Sequence, residues 1–260
     1  MGFFGFGNKN NKENVQPVAV SNKIDLTKRI PDTKAGIELK KSVVCLDKSL
    51  VDLSKKSGIA FDNHRARVAV VMDYSGSMSS LYRTGEVQKV LNRLMPLALR
   101  FDDNGELDVW IFDNSYERIE SMTINNFEHF VQNEILRLGR SMGGTSYSPV
   151  LRDVIKKYCE EDKNSPYPAF IIFITDGANG DKRDTDIVIR KTSQENIFVQ
   201  FVGMGSAHFD YLEKLDDLAG RPVDNTGFIK VNDFARLSDE KLYKLLLSQY
   251  PDWLRAKGLR

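Results

Sequence analysis

Residues 66–80 read ARVAVVMDYSGSMSS, and the fold class follows from how this stretch is read. Val68 to Met72 is an unbroken, largely β-branched apolar run, the signature of a strand buried on both faces of a parallel sheet. It stops abruptly at Asp73, Tyr74, Ser75, Gly76 and Ser77. In an open α/β sheet, ligands bind just beyond the carboxyl ends of the strands, so a carboxylate and two hydroxyls there face a binding crevice. The D-x-S-x-S spacing suits a small, hard cation such as Mg²⁺, which takes oxygen ligands in near-octahedral geometry and keeps several waters. Gly76 permits the tight fold that turns both serines toward one point. A plainer reading is also open, in which Ser77 or Ser79 caps the helix that follows.

Residues 168–176, PAFIIFITD, repeat the pattern with a second buried strand ending in Asp176 and followed by Gly177. Between the two strands lie Gly143, Gly144, Thr145 and Ser146, a glycine-rich loop carrying a hydroxyl ahead of a helix start at Ser148-Pro149. Strand-DxSxS, then GGT, then strand-TDG resembles the metal-ion-dependent adhesion site (MIDAS) of the von Willebrand factor A (vWA) domain, over about residues 65–250. By that resemblance Ser75 and Ser77 bind a cation through their hydroxyls, while Asp73, Asp176 and Thr145 hold it directly or through water. The ion implied is Mg²⁺ or Mn²⁺, with Ca²⁺ less suited. One coordination position is left for an Asp or Glu supplied by a protein partner. Tyr74, Met78, Gly144, Ser146 and Gly177, with the charged rim of Asp181, Lys182 and Arg183, are the candidate partner contacts. Within the family, the chain is similar to intracellular bacterial vWA proteins of tellurium and toxic-anion resistance systems, although it displays no complete second domain of such a system.

Composition bounds the alternatives. A length of 260 residues allows one large domain or one domain with appendages. Hydrophobic and charged shares of 41% and 28% are those of a soluble globular chain. A net charge of +1 offers no field for nucleic acid or a membrane surface. The balance is uneven, because residues 1–65 hold twelve Lys/Arg against seven Asp/Glu and leave the rest at −4. Cys45 and Cys159 lie outside any CxxC and read as reduced, small hydrophobes. His64, His129 and His208 are too scattered to read as a zinc cluster. No stretch approaches the ~20 apolar residues of a membrane span, and the N-terminus lacks a secretory signal pattern. The expected compartment is the cytoplasm.

Four segments are expected. Residues 1–22 form a Gly/Phe- and Asn/Lys-rich leader, flexible or docked through Phe3, Phe4 and Phe6; Phe6 stands where a myristoylation motif wants Ser or Thr. Residues 23–64 form an extension with a short strand at Ile24–Thr27 and a helix capped by Asp32-Thr33. That helix carries Leu39, Val43, Leu46, Leu50 and Leu53 on one stripe, to pack on the outside of the α/β domain. Its lysines 40, 41, 48, 55 and 56 face solvent or, in a sharper reading, a partner. Residues 65–250 form the vWA domain, and residues 251–260 a tail that is either docked or a basic end.

From residue 65 onward strands and helices alternate, which predicts a doubly wound, mainly parallel sheet with helices on both faces. Helices are expected at 86–99, with Pro96 placed to kink it, and at 125–136, 150–159, 185–194, 209–219 and 238–248. Further strands are expected at 107–112, 116–122, 197–202 and 227–231. The Asp113-Asn114 turn is too short for a parallel crossover, so one edge strand should run antiparallel.

No general base is placed beside Ser75, and Gly203-x-Gly205 lacks the third glycine of a dinucleotide fingerprint. The expected function is therefore a metal-dependent protein-binding module rather than an enzyme. Two other readings stay open: a metal-dependent hydrolase or phosphatase, for which Asp113 and the charged rim are the candidate groups, and a structural domain whose cation ties three loops together.

Overall fold

The computed structural model describes residues 26–259. Its six strands are β1 (Arg67–Asp73), β2 (Leu107–Phe112), β3 (Tyr116–Met122), β4 (Ala169–Thr175), β5 (Ile197–Met204) and β6 (Thr226–Val231). They form one sheet in the order β3-β2-β1-β4-β5-β6. Every pairing is parallel except β2 with β3, where Phe112 lies opposite Tyr116 across the short Asp113–Ser115 turn. The doubly wound α/β class and its antiparallel edge strand are thus as the sequence predicts.

β1 is apolar on both faces because both are covered. Val68, Val70 and Met72 point into one core, with α1 (Lys34–Ser57), α3 (Glu86–Phe101), α7 (Asp239–Leu246) and α8 (Tyr250–Ala256). Ala69 and Val71 point into the other, with α4 (Ser148–Ile155), α5 (Lys182–Thr192) and α6 (Asp210–Asp216). A short α2 (Ser79–Arg83) follows the β1 loop. The chain leaves β1 toward β2 on one side and returns through β4 on the other, so the strand order reverses between β1 and β4. That reversal opens the crevice in which such sheets bind ligands.

α1 starts where the sequence places it. The Thr33 side chain accepts from Gly36 N, and Gly58 ends the helix in the left-handed conformation. Leu39, Val43, Leu46 and Leu50 are buried, and the helix lies along α3 and α7. After residue 249 the chain is docked: Tyr250, Trp253 and Leu254 are buried, with Tyr250 against Phe170 and Phe198.

Three local expectations change. Leu26–Arg29 is a 3-10 turn rather than strand, while residues 1–25, including the leader and its phenylalanines, lie outside the described residues. The helix expected at 125–136 is instead a 3-10 turn at Phe127–His129, a wide π turn at Val131–Ile135 and a second 3-10 turn. Its cause is Gln88, whose amide donates to Phe127 O (2.7 Å) and accepts from Val131 N (2.8 Å). These are the two groups an α-helix would join to each other. The helix expected at 150–159 divides into α4 and a π turn at Lys156–Glu161.

Candidate metal centre

β1 and β4 pair in register, Met72 beside Ile174, so their next residues, Asp73 and Thr175, stand side by side at the crevice. The Thr175 hydroxyl donates to Asp73 Oδ2 (2.6 Å), and Ser75 N donates to Asp73 Oδ1 (2.8 Å). Asp73 is fully buried and Ser75 nearly so, at 3% exposure. The hydroxyls of Ser75 and Ser77 lie 3.0 Å apart, and that of Ser77 donates to Asp176 Oδ1 (2.8 Å). Two carboxylates and two hydroxyls from both sides of the strand reversal therefore form one continuous oxygen-rich cluster.

The Gly143–Ser146 loop is stitched to the first by backbone. Ser75 and Gly143 form an isolated parallel bridge, and Gly76 N donates to Gly143 O (3.0 Å). Ser146 N donates to Asp113 O (2.8 Å), and Thr145 O accepts from Gly180 N (2.9 Å), tying this loop to those after β2 and β4. Thr145 is half-buried, and its hydroxyl makes no hydrogen bond among the described residues. The paired glycines have a steric reason: a Cβ on Gly143 would lie 2.8 Å from Asp113 Oδ2, and one on Gly144 would lie 2.8 Å from Asn114 Oδ1. A side chain at either place would push the loop away.

Electrostatically, the cluster is short of positive charge. Burial raises the Asp73 carboxyl to about 6, against the pull of the bonds from Ser75 and Thr175 and with a smaller push from the Asp176 charge. Neither Asp73 nor Asp176 enters an ion pair among the described residues. The nearby Arg140 is already committed to Asp113 Oδ1 (2.5 Å) and Ser115 Oγ (2.6 Å). No group of three or more His, Cys, Asp or Glu side chains poised for a metal occurs among the described residues. Any ion here would be held by hydroxyls and two carboxylates, a donor set for a hard cation rather than for a soft one.

The rim differs from expectation. Tyr74 is 3% exposed, stacked edge-on against Tyr82 with its hydroxyl on Arg140 O, and Met78 is fully buried. Both belong to the core, which removes them as partner contacts. Asp181 also turns inward. Its carboxylate accepts from Tyr147 N (2.9 Å), Ser148 N (2.7 Å) and Asn179 Nδ2 (2.6 Å), capping α4. Burial alone would raise its pKa, but these bonds and that of the Ser148 side chain outweigh it and hold it below the usual value. Gly144, Lys182 and Arg183 are exposed, and Ser146 and Gly177 partly so.

Two residues have supporting roles that the motif reading does not assign: Thr175, though it stands within the TDG triplet, and Tyr147. Thr175 holds Asp73 directly, and the Tyr147 hydroxyl donates to Gly177 O (2.5 Å), fixing the turn that follows Asp176. A threonine at the end of a strand beside the D-x-S-x-S strand was the available signal for the first. The second depends on a contact between residues thirty apart.

A family model described as the vWA found in the TerF C terminus matches residues 65–259. The uncharacterized protein YcbR of Bacillus subtilis (strain 168) is 43% identical over 213 residues, 79% of this chain and 86% of that protein. Among solved structures, proximal thread matrix protein 1 from the mussel byssus aligns with a TM-score of 0.55 at 18% identity, covering 72% of this chain and 48% of its own. This chain thus spans about half the length of the mussel protein. An aerotolerance-related membrane protein from Bacteroides fragilis NCTC 9343 aligns with a TM-score of 0.52 at 14% identity, covering 72% and 98%. At such identities the two structures establish likeness of fold. No helix among the described residues is long and apolar enough to cross a membrane. With its sheet order, its strand-end loops and a family match over three quarters of its length, this chain belongs to the vWA-TerF-like family.

Proposed function

We propose that this chain is a metal-dependent protein-binding module whose cation is completed by an acidic side chain of its partner. The observation that carries the reading is Asp73: a fully buried carboxylate bonded only to neutral donors, within a cluster that includes a second carboxylate. A divalent cation would supply the missing charge. Ser75, Ser77 and Thr145 would offer hydroxyls to it, with Asp73 and Asp176 in reach directly or through water. Such an ion, Mg²⁺ or Mn²⁺ rather than Ca²⁺, leaves room for a carboxylate from outside. The mussel byssus protein has been solved with a zinc-occupied MIDAS motif, which supports metal binding at this position of the fold. Exposed Gly144, Lys182 and Arg183 would meet the partner beside the ion. A charge-to-metal contact at the centre of an interface makes affinity conditional on the ion.

We assign the site to binding rather than catalysis. In this reading the hydroxyls of Ser75 and Ser77 and the carboxylate of Asp176, already joined by hydrogen bonds, serve as oxygen ligands to the ion. The relation to TerF in the family description supports the proposed place in a bacterial tellurium or stress resistance system, and we assign that role to the cytoplasm.

Thermal unfolding of chelator-treated protein against added Mg²⁺ and Mn²⁺ tests the metal. An ion at one hundred times its dissociation constant should stabilise the fold by ~2.7 kcal/mol, several degrees for a domain of this size. Asp176→Ala should abolish that rise. A folded native protein whose melting temperature ignores millimolar ion would overturn the reading.

A further inference from the structure

α1 carries two apolar stripes, and only one is used by the fold. Leu39, Val43, Leu46 and Leu50 are buried. Ile37, Val44 and Val51 lie on a second face, about 130° round the helix from the first; they are 47%, 53% and 52% exposed and make up half of the large apolar residues exposed among the described residues. An isolated exposed Val or Ile needs no explanation. Three at intervals of seven do, because seven residues are two turns and line them up in one seam. Each is β-branched, as seam positions of paired helices often are.

The seam has a charged flank. Lys41, Lys48 and Lys55 each follow a seam residue by four positions and are exposed. Lys41 pairs with Glu38, whereas Lys48 and Lys55 have no carboxylate within ion-pair distance among the described residues. α1 holds six lysines against Glu38, Asp47 and Asp52, and Asp47 is taken by Arg100. A second copy of the chain paired antiparallel would set lysine flank against lysine flank, a repulsive arrangement, and a parallel copy would face the lysines with Gly36, Val43 and Leu50, none of them a carboxylate. A lipid surface wants a broad apolar face sunk ~5–10 Å into the acyl boundary, and here the exposed face is one residue wide.

We propose that the outward face of α1 docks an amphipathic helix of a protein partner, one with apolar residues on a heptad repeat and carboxylates beside them. This helix-on-helix mode draws affinity from the seam and partner choice from the flanking charges. It is separate from the strand-end cluster and does not depend on an ion there.

The test uses the full chain with two synthetic four-heptad peptides, one with Glu and one with Lys at every flanking position, followed by fluorescence anisotropy in EDTA. The Glu peptide should bind, more weakly as salt rises, and the Lys peptide should not. Val44→Glu should weaken binding by about tenfold or more, as loss of a central anchor does. Lys48→Glu combined with Lys55→Glu should reverse the preference toward the Lys peptide. All three positions are exposed, and unchanged melting temperatures would show the variants folded. Equal binding of both peptides, no binding of either, or indifference to Val44→Glu overturns the proposal. So does sedimentation showing a dimer that Val44→Glu dissolves, or flotation with phosphatidylserine vesicles in place of peptide binding.

Discussion

Asp73 is a buried acid whose two oxygens take hydrogen bonds from an amide and a hydroxyl but meet no cation. Its folded pKa, about 6, stands above the ordinary value of 3.8. The charged form is therefore penalised in the fold: the stability this group contributes is present at low pH and lost as pH rises through 6. In metal-free protein at pH 7.5, Asp73→Asn should stabilise by about 1–3 kcal/mol, a gain that shrinks as pH falls below 6 and is gone only below the unfolded value of 3.8. The Thr175 hydroxyl can turn to donate to Gly177 O, 3.3 Å away, and accept from the new amide. Denaturant titrations of both proteins in EDTA across that pH range check it, and the same variant should lose any response to Mg²⁺. Residue by residue, the cluster was legible because hydroxyls and carboxylates at strand ends have few other uses. Tyr74 and Met78 were misread because the turn after β1 alternates direction, sending Ser75 and Ser77 to the crevice and their neighbours to the core.

Elements with a strong local signal came out near their predicted limits. α1 had its cap and its stripe, while the glycine that closes it, Gly58, emerges only in the structure; β1 and β4 had continuous apolar runs. The exception at 127–138 was set by Gln88, a residue some forty positions earlier, and no periodicity within the segment could report it. α1 also contains a conflict between propensity and packing. Gly36 lies in the first turn, where alanine would ordinarily favour the helix by ~1 kcal/mol. A Cβ there would sit 1.9 Å from Pro31 O, a clash with backbone that cannot swing aside. Packing should win: Gly36→Ala is expected to destabilise the protein by about 1–3 kcal/mol, read as a lower urea midpoint at unchanged slope. A stabilised variant would mean that the 30–33 turn yields easily.

Across the molecule, the chain before the sheet and the chain after it are fastened to each other. His64 Nε2 lies 2.9 Å from the Tyr250 hydroxyl, and its ring meets Phe61, Phe101 and Tyr250 edge-on. Burial, with a smaller push from Arg65, lowers the His64 pKa from 6.5 to about 4. The unfolded chain accepts the proton first, so this contribution is whole above pH 6.5 and falls away as pH drops toward 4. The loss amounts to ~3 kcal/mol. His64→Gln should flatten that part of the stability profile, measured as the difference between the two proteins. This link was not readable from sequence, because His64 and Tyr250 stand 186 residues apart and neither belongs to a motif.

The strand order also dictates a sequence of events during synthesis. β1 emerges first of the six strands, yet one of its two neighbours, β4, follows about a hundred residues later. At ~5–20 residues per second, Asp73 waits roughly 5–20 seconds on the ribosome before Asp176 exists. For that interval β1 can pair with β2 alone, its other edge open and apolar. The cluster at the crevice is thus completed only when the second half of the sheet arrives, and a nascent chain stalled before β4 would carry D-x-S-x-S without a site.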